Sequence, residues 1–314
     1  MQQEPIVPGP VRAKARAAGS EGVAWLDGLG RSLQAWAARW DLTIGPSLAG
    51  GTEALAVEAM TADGRSAVLK LYPPTGEPAR AELRTLQAAH GHAYADVYAA
   101  DDEGRAVLLE RLGTPLAELG LPEIRQQELL CETLGEAWRL RPPSHPYPDG
   151  AAKARELARF IASTWHELEH PCSAKVVETA GRYLEERRLA FDPRQAVLAH
   201  GDPHPWNALW VPGSRPARVK LIDPDSLFVE RAYDLGVLMR EWTESLLAGD
   251  PVEQGVARCR RLARLAGVEP RAVWQWGFAE RTATALLCTK VGFEGAREML
   301  AVAERWCAVS DDAV

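Results

Sequence analysis

Lysine is scarce in this 314-residue sequence, which has only six lysines among its 36 basic residues. A lysine inside a predicted strand is therefore a notable feature. The formal charge is −7, because 43 acidic residues outnumber the basic ones. This acidic balance argues against binding to nucleic acid or to an anionic membrane surface, and it suits a small cationic substrate.

Cysteines are also few: the five are scattered, and none forms a C-x-x-C pair. This pattern excludes a disulfide framework and a cysteine-based zinc site. No apolar run approaches the roughly 18 residues that a membrane-spanning helix needs, and the first twenty residues contain no apolar signal-peptide core. We therefore expect a cytoplasmic protein with reduced thiols.

Predicted strands precede predicted helices along the chain. Residues 1–19 are rich in proline, alanine and glycine and are predicted to form a mobile tail. A leading helix and a set of strands follow in a first lobe over 20–112, and a mainly helical second lobe covers 113–314. A short β segment over 196–226 interrupts these helices. This order predicts an α+β fold and not an alternating βαβ sheet.

The segment HGDPHPWN, residues 200–207, lies between two short apolar runs. An aspartate followed five positions later by an asparagine can place a carboxylate beside an amide oxygen. Asp202 would then orient a hydroxyl group, and Asn207 would bind a divalent ion. The alternative is a rigid surface turn in which both side chains bond to the local backbone.

A second carboxylate follows another apolar run at LIDPD, residues 221–225. Asp223 stands at the end of a predicted strand and is fixed by the following proline, an arrangement that suits Mg²⁺ binding beside a phosphate. An ordinary Asp-Pro turn is the alternative.

Lys70 lies in the predicted strand 66–72, between apolar residues. A lysine in this position is disfavoured unless its ammonium group meets an anion. Glu82, on the predicted helix 78–90, is a candidate ion-pair partner that would aim Lys70 at phosphate oxygens. A lysine extending from an edge strand into solvent is the alternative.

Gly50, Gly51 and Thr52 join two predicted strands. Glycines there would let the backbone close over phosphates, with Thr52 as a further donor. A simple Gly-Gly hairpin explains the same residues equally well, and no P-loop motif is present.

The segment His166-Glu167-Leu168-Glu169-His170 matches the H-E-x-x-H signature of zinc peptidases. Its two histidines would share a helix face, but Pro171 stops the helix there. A solvated helix end is the preferred interpretation, and a zinc peptidase is the alternative from another class of protein.

Together, these motifs resemble the aminoglycoside phosphotransferases, and they are most similar to the streptomycin 6-kinase and hydroxyurea phosphotransferase branch. HGDPHPWN resembles the family's H-G-D-x-H-x-x-N catalytic loop, and LIDPD resembles its I-D-P metal segment. Three further stretches fit the lysine strand, the hinge and the helix that braces the loop: AVLKLY (67–72), AVLLERL (106–112) and AYDLGVL (232–238). An opening like SEGVAWLDGL (20–29) also recurs in this branch.

The resemblance implies a two-lobed, protein-kinase-like fold. Its N-terminal lobe would be an antiparallel sheet that binds nucleotide, and its C-terminal lobe would carry the catalytic loop and the acceptor site. Asp202 would be catalytic, and Asn207 and Asp223 would hold Mg²⁺. The nucleotide, ATP or GTP, would be bound by Lys70, Glu82, Gly50, Gly51, Thr52, Glu110 and Leu112. His200 and Asp234 would brace the loop.

The resemblance also implies transfer of a γ-phosphate to a hydroxyl group of an aminoglycoside, most similar to the 6-hydroxyl of streptomycin, and thus antibiotic resistance. A metabolic kinase for another small alcohol or sugar is the alternative within the same fold. A nucleotide-binding pseudokinase is disfavoured, because the lysine, aspartate and asparagine positions are all filled.

A cationic acceptor would seek carboxylates and aromatic surfaces near the loop. The candidates for these contacts are Asp225, Glu241, Glu244, Trp206, Trp210 and Trp242. Core packing is the alternative for each tryptophan.

Overall fold

A computed structural model describes residues 5–74, 77–101, 103–141, 147–215, 217–309 and 314. The chain divides into two compact units, Met1–Gly113 and Thr114–Val314. The first contains a five-stranded sheet and the second is mainly helical, which confirms the predicted α+β fold class. Within the described residues, no helix combines the length and apolar character needed to cross a membrane.

The sheet of the first unit is antiparallel throughout, with the strand order β1-β2-β3-β5-β4. Its lysine strand, β3, lies in the centre and pairs with β2 and β5. The helix α3, Glu77–Ala89, joins β3 to β4. The strands are β1 Leu42–Ser47, β2 Leu55–Thr61, β3 Ser66–Leu71, β4 Val97–Ala100 and β5 Ala106–Glu110.

Alternation along β2 and β3 sends Val57, Leu69 and their apolar neighbours into one core. The long helix α2, Gly19–Trp40, adds Leu29 and Leu33 to this core. Helix periodicity places these two leucines four residues apart on the same face, which explains why α2 packs on the sheet.

Residues 1–4 of the predicted mobile tail over 1–19 lie outside the described residues, and the structure differs from the prediction over residues 9–17. Residues 9–17 form a helix, α1 Gly9–Ala17, that packs against α2 and buries Val11 and Ala15 completely. Its sequence shows no apolar stripe, and packing on α2 supplies the stability that helix propensity alone does not give to so short a segment.

The second unit contains helices and two strand pairs. Its helices are α4 Glu123–Ala137, α5 Gly150–Glu167, α6 Ala174–Ala190, α7 Ala232–Arg240, α8 Thr243–Leu247, α9 Pro251–Ala266, α10 Pro270–Lys290 and α11 Ala296–Trp306. Antiparallel strands pair as β6 with β9 and as β7 with β8. These strands are β6 Val197–Ala199, β7 Ala208–Trp210, β8 Val219–Leu221 and β9 Leu227–Val229.

Helices α7 and α10 cross at very short range. A Cβ atom on Gly236 would lie 2.5 Å from the Cβ of Trp276, and one on Gly277 would lie 2.5 Å from the Cβ of Met239. Only glycine permits this approach at either position. The crossing fixes α7, which carries several side chains of the site described next.

Candidate active site

The segment 200–207 forms the loop between β6 and β7, as the sequence predicts. His200 is fully buried at its start, and its Nδ1 accepts the backbone N–H of Asp202 at 3.1 Å. Its proton therefore lies on Nε2, which donates to the carbonyl of Ile222 at 2.9 Å. Burial lowers the pKa of His200, so the ring is neutral and holds the loop against the chain beyond β8.

Asp234, in the first turn of α7, accepts hydrogen bonds from the backbone of the same loop. One of its carboxylate oxygens accepts the N–H of Gly201 at 2.8 Å, and the other accepts the N–H of His200 at 3.1 Å. The indole N–H of Trp138 also donates to the second oxygen, at 2.8 Å. Burial raises the pKa of Asp234, although these donors and His200 oppose the shift.

Gly201 adopts φ +94°, a conformation that favours glycine. A Cβ atom there would also lie 2.6 Å from the Cβ of Asp225. Position 201 therefore requires glycine for two reasons: the backbone has positive φ, and there is no room for a Cβ atom.

Both carboxylate oxygens of Asp202 contact basic side chains. Oδ1 accepts from Nη2 of Arg240, and Oδ2 lies 3.3 Å from Nε2 of His204. Burial would raise the pKa of Asp202, but the Arg240 guanidinium and the His204 contact outweigh it and hold the pKa well below the usual value. The carboxylate thus stays ionised and is available to orient a hydroxyl group.

Asn207 and Asp223 lie at the ends of two paired strands, β7 and β8. The N–H of Ile222 donates to the carbonyl of Asn207 at 2.9 Å, which brings Asp223 next to Asn207. The side-chain amide of Asn207 donates to the carbonyl of Asp202 at 3.0 Å, so the amide oxygen is the atom that could ligate an ion. An amide oxygen and a carboxylate are hard ligands, and this donor set fits Mg²⁺.

Lys70 and Glu82 meet in the first unit. Their Nζ and Oε1 atoms are 2.8 Å apart, and both side chains are buried, at 9% and 8% exposure. Lys70 Nζ also lies 5.2 Å from the centre of the Tyr72 ring. The lysine is therefore not a solvated edge-strand residue.

The glycine segment and the hinge also lie in the first unit. Gly50, Gly51 and Thr52 form the connection between β1 and β2, and Gly50 has φ +91°. At the end of β5, the N–H of Glu110 donates to the carbonyl of Asp96 at 2.8 Å. Of the two predicted hinge residues, Glu110 therefore has its N–H engaged within the sheet.

The predicted acceptor residues differ in their surroundings. Trp206 is 54% exposed, which rules out core packing for this side chain. Trp242 is half-buried, and the Arg258 guanidinium lies 5.4 Å from the centre of its ring. Trp210 is half-buried in β7, Glu244 is exposed on α8, and Asp225 is exposed directly after the metal segment.

Glu241 and Asp225 lie in different electrostatic settings. Glu241 Oε1 is 3.1 Å from Nε of Arg240, so this carboxylate is already engaged. Although Asp225 is exposed as a whole residue, loss of hydration at its carboxyl group raises the pKa of Asp225 to about 7, and the neighbouring charge of Asp202 adds to the effect. A bound cation would relieve this concentration of negative charge.

Comparison with known families identifies the chain. The family model described as aminoglycoside/hydroxyurea antibiotic resistance kinase matches residues 39–292. The chain belongs to this family. It is therefore an antibiotic-resistance kinase, a phosphotransferase that acts on an alcohol group and uses a nucleotide as co-substrate, as the motifs predict.

Two curated relatives are similar to this kinase over most of its length. A streptomycin 6-kinase of Streptomyces glaucescens is 27% identical and covers 89% of this chain and 90% of its own. A streptomycin 6-kinase of Streptomyces griseus is 35% identical, with 72% of each chain covered.

Solved structures share the fold at low identity. An aminoglycoside phosphotransferase of Streptomyces rimosus, solved with ADP and streptomycin, matches with a TM-score of 0.55 and 15% identity over 82% of this chain and 98% of its own. A macrolide 2′-phosphotransferase of Brachybacterium faecium matches with a TM-score of 0.57 and 17% identity over 87% of this chain and 97% of its own. These likenesses support the kinase fold.

The H-E-x-x-H segment of the kinase does not form a zinc-peptidase helix. Helix α5 ends at Glu167, and His170 lies beyond it with φ +66°. His166 Nδ1 and His170 Nε2 are 3.1 Å apart. In the part of the chain that the structure describes, no three histidine, cysteine, aspartate or glutamate side chains group as a metal site.

One conspicuous residue of the kinase site, Arg240, is not among the sequence predictions. It ends α7, and its side chain is only 12% exposed. Besides Asp202 and Glu241, it contacts Glu280 of α10, with Nη1 and Oε2 3.2 Å apart. The signal in the sequence is an arginine that directly follows the apolar run of AYDLGVLM, but its partners lie elsewhere in the chain.

Proposed function

We propose that this kinase transfers the γ-phosphate of ATP to the 6-hydroxyl group of a streptomycin-type aminoglycoside, and that Asp202 is the catalytic carboxylate. Two curated relatives that match over most of the chain carry the name streptomycin 6-kinase, which supports the choice of acceptor. The proposal divides the work between residues 20–112, which bind nucleotide, and residues 113–314, which hold the catalytic loop and the acceptor.

The position of Asp202 is the observation that carries this proposal. Its carboxylate is kept ionised by Arg240, and its backbone is held by His200, which is itself pinned through Asp234. Phosphoryl transfer requires a rigidly placed carboxylate that orients the attacking hydroxyl group more than it requires a strong base. A loop fixed at three consecutive residues meets that requirement.

Asn207 and Asp223 are the proposed ligands of Mg²⁺. Magnesium is usually bound through one or two protein oxygens together with phosphate oxygens, which agrees with a site of two side chains. When bound, the ion supplies charge neutralisation for the β- and γ-phosphates. The hydrogen bond from the Asn207 amide to the Asp202 carbonyl couples the metal ligand to the catalytic residue.

Lys70 is the proposed contact for the nucleotide phosphates, with Glu82 holding its ammonium group. Gly50, Gly51 and Thr52 would approach the phosphates through backbone and hydroxyl donors. The carbonyl of Glu110 and the N–H of Leu112 would bind the nucleobase. Backbone groups two residues apart on an extended strand point to the same side, which suits a pair of such contacts.

Asp225 and Trp206 are the strongest acceptor candidates. The raised pKa of Asp225 arises first from loss of hydration and second from the nearby charge of Asp202, and the second contribution favours a cationic group beside these two carboxylates. Trp206 offers an exposed aromatic face two residues after His204 in the same loop, and such a face suits a sugar ring. Glu244 and Trp242 complete the proposed acceptor surface, whereas Glu241 is paired with Arg240.

The test is ADP release from Mg·ATP and from Mg·GTP across streptomycin, other aminoglycosides, hydroxyurea and simple sugars. The Asp202→Asn protein is the blank, because it keeps the size of the side chain and removes its charge. We expect turnover with streptomycin and a loss of several orders of magnitude in the variant. Correlation of phosphorus with proton signals in the product then identifies the modified hydroxyl group.

Turnover with a plain sugar alone would replace the proposed acceptor and assign a metabolic role. Wild-type turnover by Asp202→Asn would remove that residue from its proposed role, whichever acceptor is used.

A further inference from the structure

Three carboxylates surround one guanidinium group in the second unit. Arg240 contacts Asp202 through Nη2, Glu241 through Nε at 3.1 Å, and Glu280 through Nη1 at 3.2 Å. Each of the three nitrogens of the planar guanidinium group thus faces a carboxylate. A guanidinium group that satisfies three anions at once has little freedom to rotate.

The carboxylate behind Arg240 is itself fixed. Glu280 is only 6% exposed, and its other oxygen, Oε1, accepts the hydroxyl group of the fully buried Tyr233. Tyr233 belongs to α7 and Glu280 to α10, the two helices that cross at Gly236 and Gly277. The chain of contacts from Tyr233 through Glu280 and Arg240 to Asp202 therefore starts at the close crossing of α7 and α10.

We propose that Arg240 is a positioning residue for phosphoryl transfer: its fixed fork anchors Oδ1 of Asp202 and so presents Oδ2 to the acceptor hydroxyl group. The proposal rests on the proposed role of Asp202. The two oxygens differ in their contacts, because Oδ1 faces a full positive charge, whereas Oδ2 lies 3.3 Å from Nε2 of His204. The incoming hydroxyl group displaces the weaker contact.

The role differs from general support of the fold. Arg240 reaches Asp202 from a helix 38 residues further along the chain, so the carboxylate is fixed by its side chain as well as by the loop backbone. Loss of the Arg240 guanidinium group would leave the backbone of the loop bound to Asp234. It would free the side chain of Asp202 to rotate. Misplacement of a reacting group by about 1 Å can cost on the order of 100-fold in rate.

The experiment compares Arg240→Gln and Arg240→Lys with Arg187→Gln. Arg187 is a matched control, since it is 14% exposed, lies in the same unit and pairs with Glu230 at 3.3 Å. We expect Arg240→Gln to lower kcat by about 100-fold with the nucleotide KM changed by less than about threefold. Arg240→Lys keeps the charge but not the fork and should recover part of the rate. Arg187→Gln should keep the wild-type kcat.

A double-mutant cycle identifies the path of the effect. If Arg240 acts through Asp202, Arg240→Gln causes no further loss in the Asp202→Asn protein. Losses that multiply would overturn the proposal, as would wild-type kcat in folded Arg240→Gln. Turnover is measured with the acceptor found in the substrate panel, or as hydrolysis of Mg·ATP by water if no acceptor in the panel reacts.

The variant Arg240→Gln leaves buried Glu280 without a cation and can destabilise the protein. The pair Arg240→Gln/Glu280→Gln removes both charges and serves as a second test, with thermal unfolding to verify the fold. It should show the same loss of kcat. If Asp202→Asn alone keeps full activity, the proposed role of Asp202 fails, and this result is distinct from any effect of Arg240.

Discussion

Asp234 accepts the backbone N–H of Gly201 at 2.8 Å, across 33 residues of sequence. The same carboxylate accepts N–H groups from His200 and Trp138, so three donors converge on two oxygens. The backbone of the loop that carries Asp202 is thereby tied to α7 through the buried Asp234 side chain. This arrangement makes Asp234 the most direct point at which to loosen the loop.

We expect Asp234→Asn to lower both stability and turnover. An amide presents one acceptor oxygen where the carboxylate presents two, so at least one of the three N–H groups loses its partner. Such a loss costs about 1–3 kcal/mol in the free energy of unfolding. Urea unfolding measures this change, and ADP release measures the effect on turnover.

Trp138→Phe is the control for Asp234→Asn. It removes one donor, leaves both oxygens for the loop and should reduce turnover less. The prediction would be contradicted if Asp234→Asn had the same midpoint of urea unfolding as the wild-type protein.

Gly201→Ala should damage the loop more than the same change at Gly213. Both glycines have positive φ, +94° and +75°, so both substitutions carry a backbone penalty of about 1 kcal/mol. Only at position 201 does the new Cβ meet another atom, 2.6 Å away on Asp225, whereas nothing lies within 4 Å at position 213. Thermal unfolding and ADP release of both variants separate the clash from the backbone penalty. Equal losses in the two variants would show that the clash has no effect.

The Lys70–Glu82 pair allows stability and nucleotide binding to be separated. Lys70→Met removes the ammonium group 2.8 Å from Glu82 and should cost about 3–5 kcal/mol in the free energy of unfolding. Lys70→Met/Glu82→Leu should regain much of this stability, because apolar residues can replace a buried ion pair. Neither protein should bind Mg·ATP with wild-type affinity in a fluorescence titration.

Arg65→Met provides the matched control, since Arg65 pairs with Asp63 at 2.8 Å in the turn between β2 and β3 but is 55% exposed. Its unfolding free energy should change by no more than about 1 kcal/mol. Full nucleotide affinity in the Lys70→Met/Glu82→Leu protein would remove Lys70 from phosphate binding.

Cys131 and Cys259 should resist alkylation in the folded enzyme. Burial raises the pKa of each thiol to about 12, so the reactive thiolate is roughly one part in ten thousand at pH 8. Labelling with iodoacetamide followed by mass spectrometry should modify these two sites only after unfolding in urea. Cys288, which is half-buried, should be modified earlier than either. Rapid labelling of Cys131 without denaturant would show that the core around α4 opens readily.

Local patterns were sufficient to predict part of this molecule. The alternation around Lys70 identifies the strand, and the scarcity of lysine makes its burial informative. The short apolar runs at 196–199 and 219–222 identify the strands that lead into the loop 200–207 and into the segment that holds Asp223, because short buried strands are continuous in sequence. These features depend on neighbours within a few residues, and the structure places them as the pattern indicates.

Other features depend on partners that are distant in sequence. Arg240 and Glu280 are 40 residues apart, and their contact is set by the crossing of α7 and α10. The end of α5 at Glu167 removes His170 from the helical face that its spacing predicts. Helix α1 forms through its packing on α2, which no periodicity within residues 9–17 reveals.

The leading helices also bear on where this kinase can be shortened. The family match begins at residue 39, one residue before α2 ends at Trp40. A chain cut at that point would lose Leu29 and Leu33 and expose Leu55 and Leu69 on the sheet to water. An exposed apolar sheet face promotes aggregation with other copies of the protein. The smallest piece of the enzyme that stays dispersed in solution therefore begins well before residue 39, where the family match starts.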